Sequence, residues 1–230
     1  MDKNYLAKNG FIVKKKFFTK KEVKQLLKIQ DTLHNKKNIK FGPLHKSKKT
    51  WNIIVNEKII NLVKNVLENK KIAYLFHGHS VMQDKYANVD SAWHRDNACR
   101  KFGKGPDWGN NYNVLRLAIY LDDSDAGLNL IKGSHTGKRY LCFLINTLRN
   151  NFKFIYYNKI FRFLFDNIFG TKIRTKKGDC VFFFANTYHS AINSKNIKYT
   201  RKAIFLTYGT HNNHANNHLN YYFLHRKDLN

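Results

Sequence analysis

Two hydrophobic periods divide the chain. Residues 17–35, FFTKKEVKQLLKIQDTLHN, put Val23, Leu26, Leu27 and Ile29 on one side of a helix. Thr19 can cap that helix, and Glu22 three residues later completes a capping box. A second helix follows Asn56, where Ile59, Ile60, Leu62, Val63, Val66 and Leu67 recur at helical spacing. Beyond it the period shortens. KIAYLFHGHSVMQDKYA reads as two extended runs around His77-Gly78-His79. VLRLAIYL (114–121) is a strand ending in Asp122-Asp123, and LNLIKG (128–133) is a short one. TKIRT and CVFFFA (180–185) flank a Lys177-Gly178-Asp179 turn and read as a further pair. KAIFLTYG (202–209) closes the series.

Helices therefore come first, and short strands joined by loops follow. That order predicts an antiparallel β-sandwich or barrel with helices packed outside, rather than a parallel βαβ sheet. The chain reads as one domain over 1–230, helical to about residue 70. An insert at about 138–172 mixes aromatic with basic residues and is helical in part. From 138 to 177 it carries ten Lys or Arg against a single acid, Asp166. A glycine-bearing loop at 97–112 contains Trp108 and has the make-up of a gate.

Composition adds two constraints. Cys99, Cys142 and Cys180 are odd in number and widely spaced, which excludes a disulfide framework and fits a reducing, cytoplasmic setting. No run is long and apolar enough to span a bilayer. The net charge is +27, which favours anionic partners. The lysines are spread along the chain without a base-reading motif, so a lysine-rich surface competes with a nucleic-acid role and is preferred to it. A small molecule, anionic among the candidates, is the expected substrate.

The chemistry begins at SAWHRDNA (91–98). His94 and Asp96 are separated by one residue, and on an extended chain such side chains point the same way. A non-haem iron site needs two imidazoles and one carboxylate on one face of the metal. His189, directly after CVFFFANTY, is the candidate third ligand. Arg201 lies twelve residues after His189, where the next strand starts. Its planar guanidinium suits the far carboxylate of 2-oxoglutarate. An isolated His-x-Asp is more often a surface pair; only the ensemble raises it above that. The other histidines are read as packing (His77, His79), a structural turn (His135) and a polar tail (His211, His214, His218).

His94-x-Asp96, LRLAIYLDDSDAGLNLIKGSH (115–135), KKGDCVFFFANTYHSA (176–191) and TRKAIFLTYG (200–209) together resemble the phytanoyl-CoA dioxygenase family of Fe(II)/2-oxoglutarate oxygenases. NGFIVKKKFFTKKEVKQL is similar to that family's opening strand and helix. The resemblance implies a mainly β double-stranded β-helix (a cupin-like jelly roll) with flanking helices. It implies Fe(II), 2-oxoglutarate and O2 as cofactor and cosubstrates. It implies iron on His94, Asp96 and His189, and 2-oxoglutarate on Arg201. Tyr86 resembles a position that faces the cosubstrate in many relatives, with a core or barrel-wall tyrosine as its plain reading. Some relatives also carry arginine where Arg116 stands, a candidate contact for cosubstrate or substrate or a partner of an acid such as Asp122. The expected reaction hydroxylates a small-molecule or lipid- or sugar-linked substrate and releases succinate and CO2. Arg95 stands where the family often has Gln. Asp96 is retained, whereas halogenating relatives lose it. A basic jelly-roll binding module without chemistry, or an oxygenase acting on nucleic acid or protein, are the alternatives.

Overall fold

The computed structural model describes residues 2–34, 42–46, 48–68, 71–83, 93–96, 113–124, 126–136, 139–192 and 201–225. Tyr86, Cys99 and the 97–112 loop lie outside them. In chain order the elements are α1 (Asp2–Asn9), β1 (Phe11–Lys14), α2 (Lys20–His34), β2 (Gly42–Pro43), α3 (Lys48–Ile54), α4 (Glu57–Leu67), β3 (Ile72–Tyr74) and β4 (His79–Gln83). Then come β5 (Val114–Tyr120), β6 (Gly127–Leu130), α5 (Arg139–Asn151), α6 (Lys153–Tyr157), α7 (Lys159–Ile168), β7 (Thr171–Arg174), β8 (Cys180–Phe184), β9 (His189–Ile192), β10 (Arg201–Thr210) and α8 (Asn213–His225).

The strands form two antiparallel sheets. The larger runs β1-β8-β5-β10-β4-β2, with β3 also paired to β10; the smaller runs β7-β6-β9. All seven residues of β5 are buried. This strand lies mid-sheet with both faces covered, which is why VLRLAIYL reads as a continuous apolar run rather than an alternating one. Leu115, Leu117 and Ile119 point to the helical side, where Val23, Leu26, Ile59 and Val63 pack against them. Ala118 and Tyr120 point to the inner side with Val181, Phe183, Ala203 and Phe205, and meet Leu128 and Leu130 of the small sheet. Each fully buried large apolar side chain in these layers contributes about 1.5–3 kcal/mol by removal from water.

The two expected early helices are α2 and α4. Asn56 caps α4 by accepting from the Lys58 and Ile59 N–H groups. The expected pairing of the runs flanking Lys177-Gly178-Asp179 is corrected: β7 belongs to the small sheet with β6, and β8 pairs with β1 and β5. The turn is the crossing between sheets. Asp179 fixes it by accepting from the Lys176 and Lys16 N–H groups, both at 2.9 Å. Gly178 has φ +86°, and a Cβ there would stand 2.5 Å from the Phe18 carbonyl oxygen. Two extended runs flanking a short turn look like a hairpin, but the buried Asp179 anchors a turn that carries the chain to the opposite layer.

Candidate metal centre

The centre is assembled from backbone pairing. His94 and His189 form an antiparallel bridge, each N–H donating to the other's carbonyl at 2.9 Å. The Asp96 N–H donates to the Ala185 carbonyl at 2.8 Å, fixing residue 96 beside the end of β8. Trp93 anchors this segment from the other side: its ring is buried and its Nε1 donates to Asp166 of α7 at 2.7 Å.

With the backbone so fixed, one donor atom each of His94, Asp96 and His189 falls within 4.8 Å of the others. His94 Nε2 lies 3.9 Å from Asp96 Oδ1, and His189 Nε2 lies 3.7 Å from Asp96 Oδ2. His189 Nδ1 sits 2.9 Å from the Thr187 carbonyl. A carbonyl only accepts, so Nδ1 carries the proton and Nε2 presents its lone pair to the carboxylate side. His189 and Asp96 are nearly enclosed, while His94 is the more accessible of the three. Two imidazoles and one carboxylate, converging from one side, are the donor set of a facial iron site, and the residues fit such an ion.

Arg116 is bound to this group. Its Nε lies 2.8 Å from Asp96 Oδ2. Its Nη1 donates to the His77 carbonyl at 2.7 Å and to Thr207 Oγ1 at 2.8 Å. Asp122, the acid weighed as its partner, instead accepts from the Ser124 and Lys202 N–H groups. Burial by itself would raise the Asp96 carboxyl. The Arg116 guanidinium is the main influence that holds it well below the usual carboxylate range.

Arg201 occupies the other end of the same wall. Phe205 lies between the two cations, with its ring 5.6 Å from the Arg116 guanidinium carbon and 6.0 Å from that of Arg201. Arg201 Nε is buried without a hydrogen-bond partner among the described residues. Beside it stands Tyr120, whose hydroxyl burial pushes up to about 12 against the pull of Arg201. A guanidinium and a phenol side by side are groups that can both pair with a carboxylate. Tyr120 was not among the residues picked from sequence. The signal was its spacing: 116, 118 and 120 share one face of a strand.

The polar-tail reading is corrected for His218, while His211 is exposed as read. His218 is fully buried on α8, with Ala215 and Tyr222 at i−3 and i+4 also buried. Tyr222 stacks on His77 at 3.7 Å and donates to the Asp96 carbonyl at 3.2 Å. His218 Nε2 lies 3.3 Å from His77 Nδ1. Desolvation, aided by Arg116, lowers His218 to about 3, so it is neutral. Thus α8 closes the Arg116 end of the centre. His135 is structural as read, bonding the Ala7 carbonyl at 2.9 Å. Arg95 lies over the Tyr188 ring, 4.9 Å from its centre.

No family model matches the sequence, and no curated protein matches it. Solved structures do match in fold. The non-heme alpha ketoglutarate dependent epimerase SnoN from nogalamycin biosynthesis superposes with a TM-score of 0.67 at 14% identity, over 90% of this chain and 80% of that one. The carbocyclase SnoK, from the same biosynthesis, gives 0.68 at 12% over 91% and 83%. HygX from Streptomyces hygroscopicus, solved with nickel and 2-oxoglutarate, gives 0.68 at 16% over 90% and 84%. The shared architecture is the double-stranded β-helix.

Proposed function

We propose that the protein is an Fe(II)- and 2-oxoglutarate-dependent oxygenase that hydroxylates a small-molecule substrate. One observation carries the reading: His94, Asp96 and His189 converge to within one ion's reach. The structural relatives support it, since SnoN and HygX were solved with metal and the keto acid. Among the structural relatives, SnoN is an epimerase and SnoK a carbocyclase. The retained Asp96 carboxylate is what favours hydroxylation over halogenation here.

When bound, ferrous ion and 2-oxoglutarate supply the oxidising chemistry, with succinate and carbon dioxide as by-products. The chain's own part is positioning. Thr187 sets the His189 tautomer and so keeps Nε2 a ligand. Arg116 orients the Asp96 carboxylate. Arg201, with Tyr120 beside it, receives the distal carboxylate of the cosubstrate. The Phe205 ring between the guanidiniums and the buried Tyr188 and Trp93 keep water from the pocket walls. Two expected site residues take different places in this scheme: Arg116 serves the metal ligand, and Tyr86 lies outside the described residues.

The test is an oxygen-free titration of Fe(II) and 2-oxoglutarate, followed by the visible charge-transfer band of the ternary complex. Wild type should develop the band. His189→Ala should lose it, and Arg201→Ala should need at least about tenfold more 2-oxoglutarate. A wild-type protein that develops no band, and forms no succinate with Fe(II) and air, would overturn the reading.

A further inference from the structure

The insert between β6 and β7 has two faces, and among the described residues only one is packed against the rest of the fold. Leu141, Ile145, Tyr156 and Phe165 are buried against Trp93, Ile131 and Tyr188. The outer side also carries large apolar side chains. Phe143, Phe154, Ile160, Phe163, Leu164 and Ile168 are between 52% and 77% exposed. They lie on three consecutive helices, with α6 in contact with both α5 and α7. On α7, Ile160, Leu164 and Ile168 stand one helical turn apart and form a stripe on the side away from Phe161 and Phe165. So much exposed aliphatic and aromatic surface in one segment marks an interaction face rather than scattered surface residues.

The charge around this face selects the occupant. Helices α5–α7 carry five basic residues, Arg139, Arg149, Lys153, Lys159 and Arg162, and one acid. That acid, Asp166, is turned inward onto the Trp93 indole. Lys172 stays at the surface with its ammonium 6.0 Å from the centre of the exposed Phe163 ring. A second copy of the chain would bring another +27 charge to the contact, which opposes self-association. Bulky apolar side chains among lysines and arginines, on short amphipathic helices, match the requirements of a bilayer surface bearing anionic headgroups. Among the described residues no helix is long and apolar enough to cross a membrane, so such a face would lie in the interface plane.

We infer that the outer face of α5–α7 docks the protein on an anionic lipid surface. Apolar side chains enter the headgroup boundary and the basic residues pair with lipid phosphates. The inference stands apart from the proposed activity, because docking needs no metal and no turnover. It does place the lipid surface close to the centre: Trp93, held by α7, is the residue before His94.

Vesicle co-sedimentation tests it, comparing phosphatidylglycerol/phosphatidylcholine mixtures with pure phosphatidylcholine. The wild type is set beside an Ile160→Ser, Phe163→Ser, Ile168→Ser triple variant of identical charge. Wild type should bind the anionic vesicles, and the triple variant should bind them at least about tenfold more weakly. Equal binding by both would mean that charge alone attracts this cationic protein, and would overturn the inference. So would no binding by wild type, or a concentration-dependent dimer that the triple variant loses while vesicles go unbound. Circular dichroism checks the variant's fold. Should it be unfolded, a Phe163→Trp protein decides: its emission must shift to the blue on anionic vesicles, and an unshifted spectrum overturns docking.

Discussion

Asp96 is a nearly enclosed carboxylate whose charge is answered by Arg116. A divalent ion at the same place would answer it too. The two cations therefore compensate one buried anion, and removing one makes the protein lean on the other. Breaking a buried pair by deleting one partner costs about 3–5 kcal/mol, because the remaining charge is left without compensation. Arg116→Gln should lower the stability of the metal-free protein by roughly that amount. Saturating Ni(II) should then recover more of the melting temperature in the variant than it adds to wild type. Thermal melts with and without Ni(II) measure both quantities. Equal melting temperatures for the two metal-free proteins would show that Asp96 does not depend on Arg116.

At the scale of elements, the start of α2 gives a second test. The Thr19 N–H and hydroxyl both donate to Glu22 Oε2 at 2.7 Å, and Glu22 N–H donates back to Thr19 Oγ1 at 3.3 Å. Glu22 Oε1 also reaches Lys58 of α4 at 2.6 Å, tying two helices together. The bond to Lys58, then those to Thr19, outweigh burial and lower Glu22 from 4.5 to about 2. A folded pKa below the unfolded one gives stability that is complete above 4.5 and fades as pH falls towards 2. Glu22→Gln keeps an acceptor for the cap and removes the charge. It should cost up to about 1 kcal/mol at neutral pH, since the pair is partly exposed. The two proteins should converge by about pH 2 in urea melts; a constant difference across that range would assign the loss to capping rather than charge.

The same elements show what the sequence made legible. The capping box, the helix after Asn56 and every strand from β3 to β8, together with β10, were readable because local period and capping chemistry suffice for them. The convergence of His94, Asp96 and His189 was readable because an i, i+2 pair and a strand-proximal histidine are written in sequence order. Three things were not. The partners of β7 and β8 depend on which layer each strand joins, and no local period encodes that. The Arg116–Asp96 pair joins residues whose separation along the chain carries no pattern. The burial of α8 shows in Ala215, His218 and Tyr222 only once His77 is known to face them; as text, HNNHANNH is polar.

At the scale of the whole molecule, the charge of +27 is a term in stability as well as in recognition. Few acids are present to offset it. Ion pairs such as Lys58–Glu22 and Lys15–Asp179 are local, and salt screens the exposed ones. Long-range repulsion among forty-two Lys and Arg side chains against fifteen acids is screened as well, and it opposes compactness. The two effects of salt have opposite signs. Surface pairs are worth about 0–1 kcal/mol each, and too few acids exist to pair most of the bases. Relief of repulsion should therefore win. The melting temperature should rise as sodium chloride increases from low to moderate concentration, and the same salt should weaken the electrostatic part of vesicle binding while leaving its apolar part. A melting temperature that falls with salt would place the stability in local pairs, and would imply that the excess positive charge is spaced widely enough to be harmless to the fold.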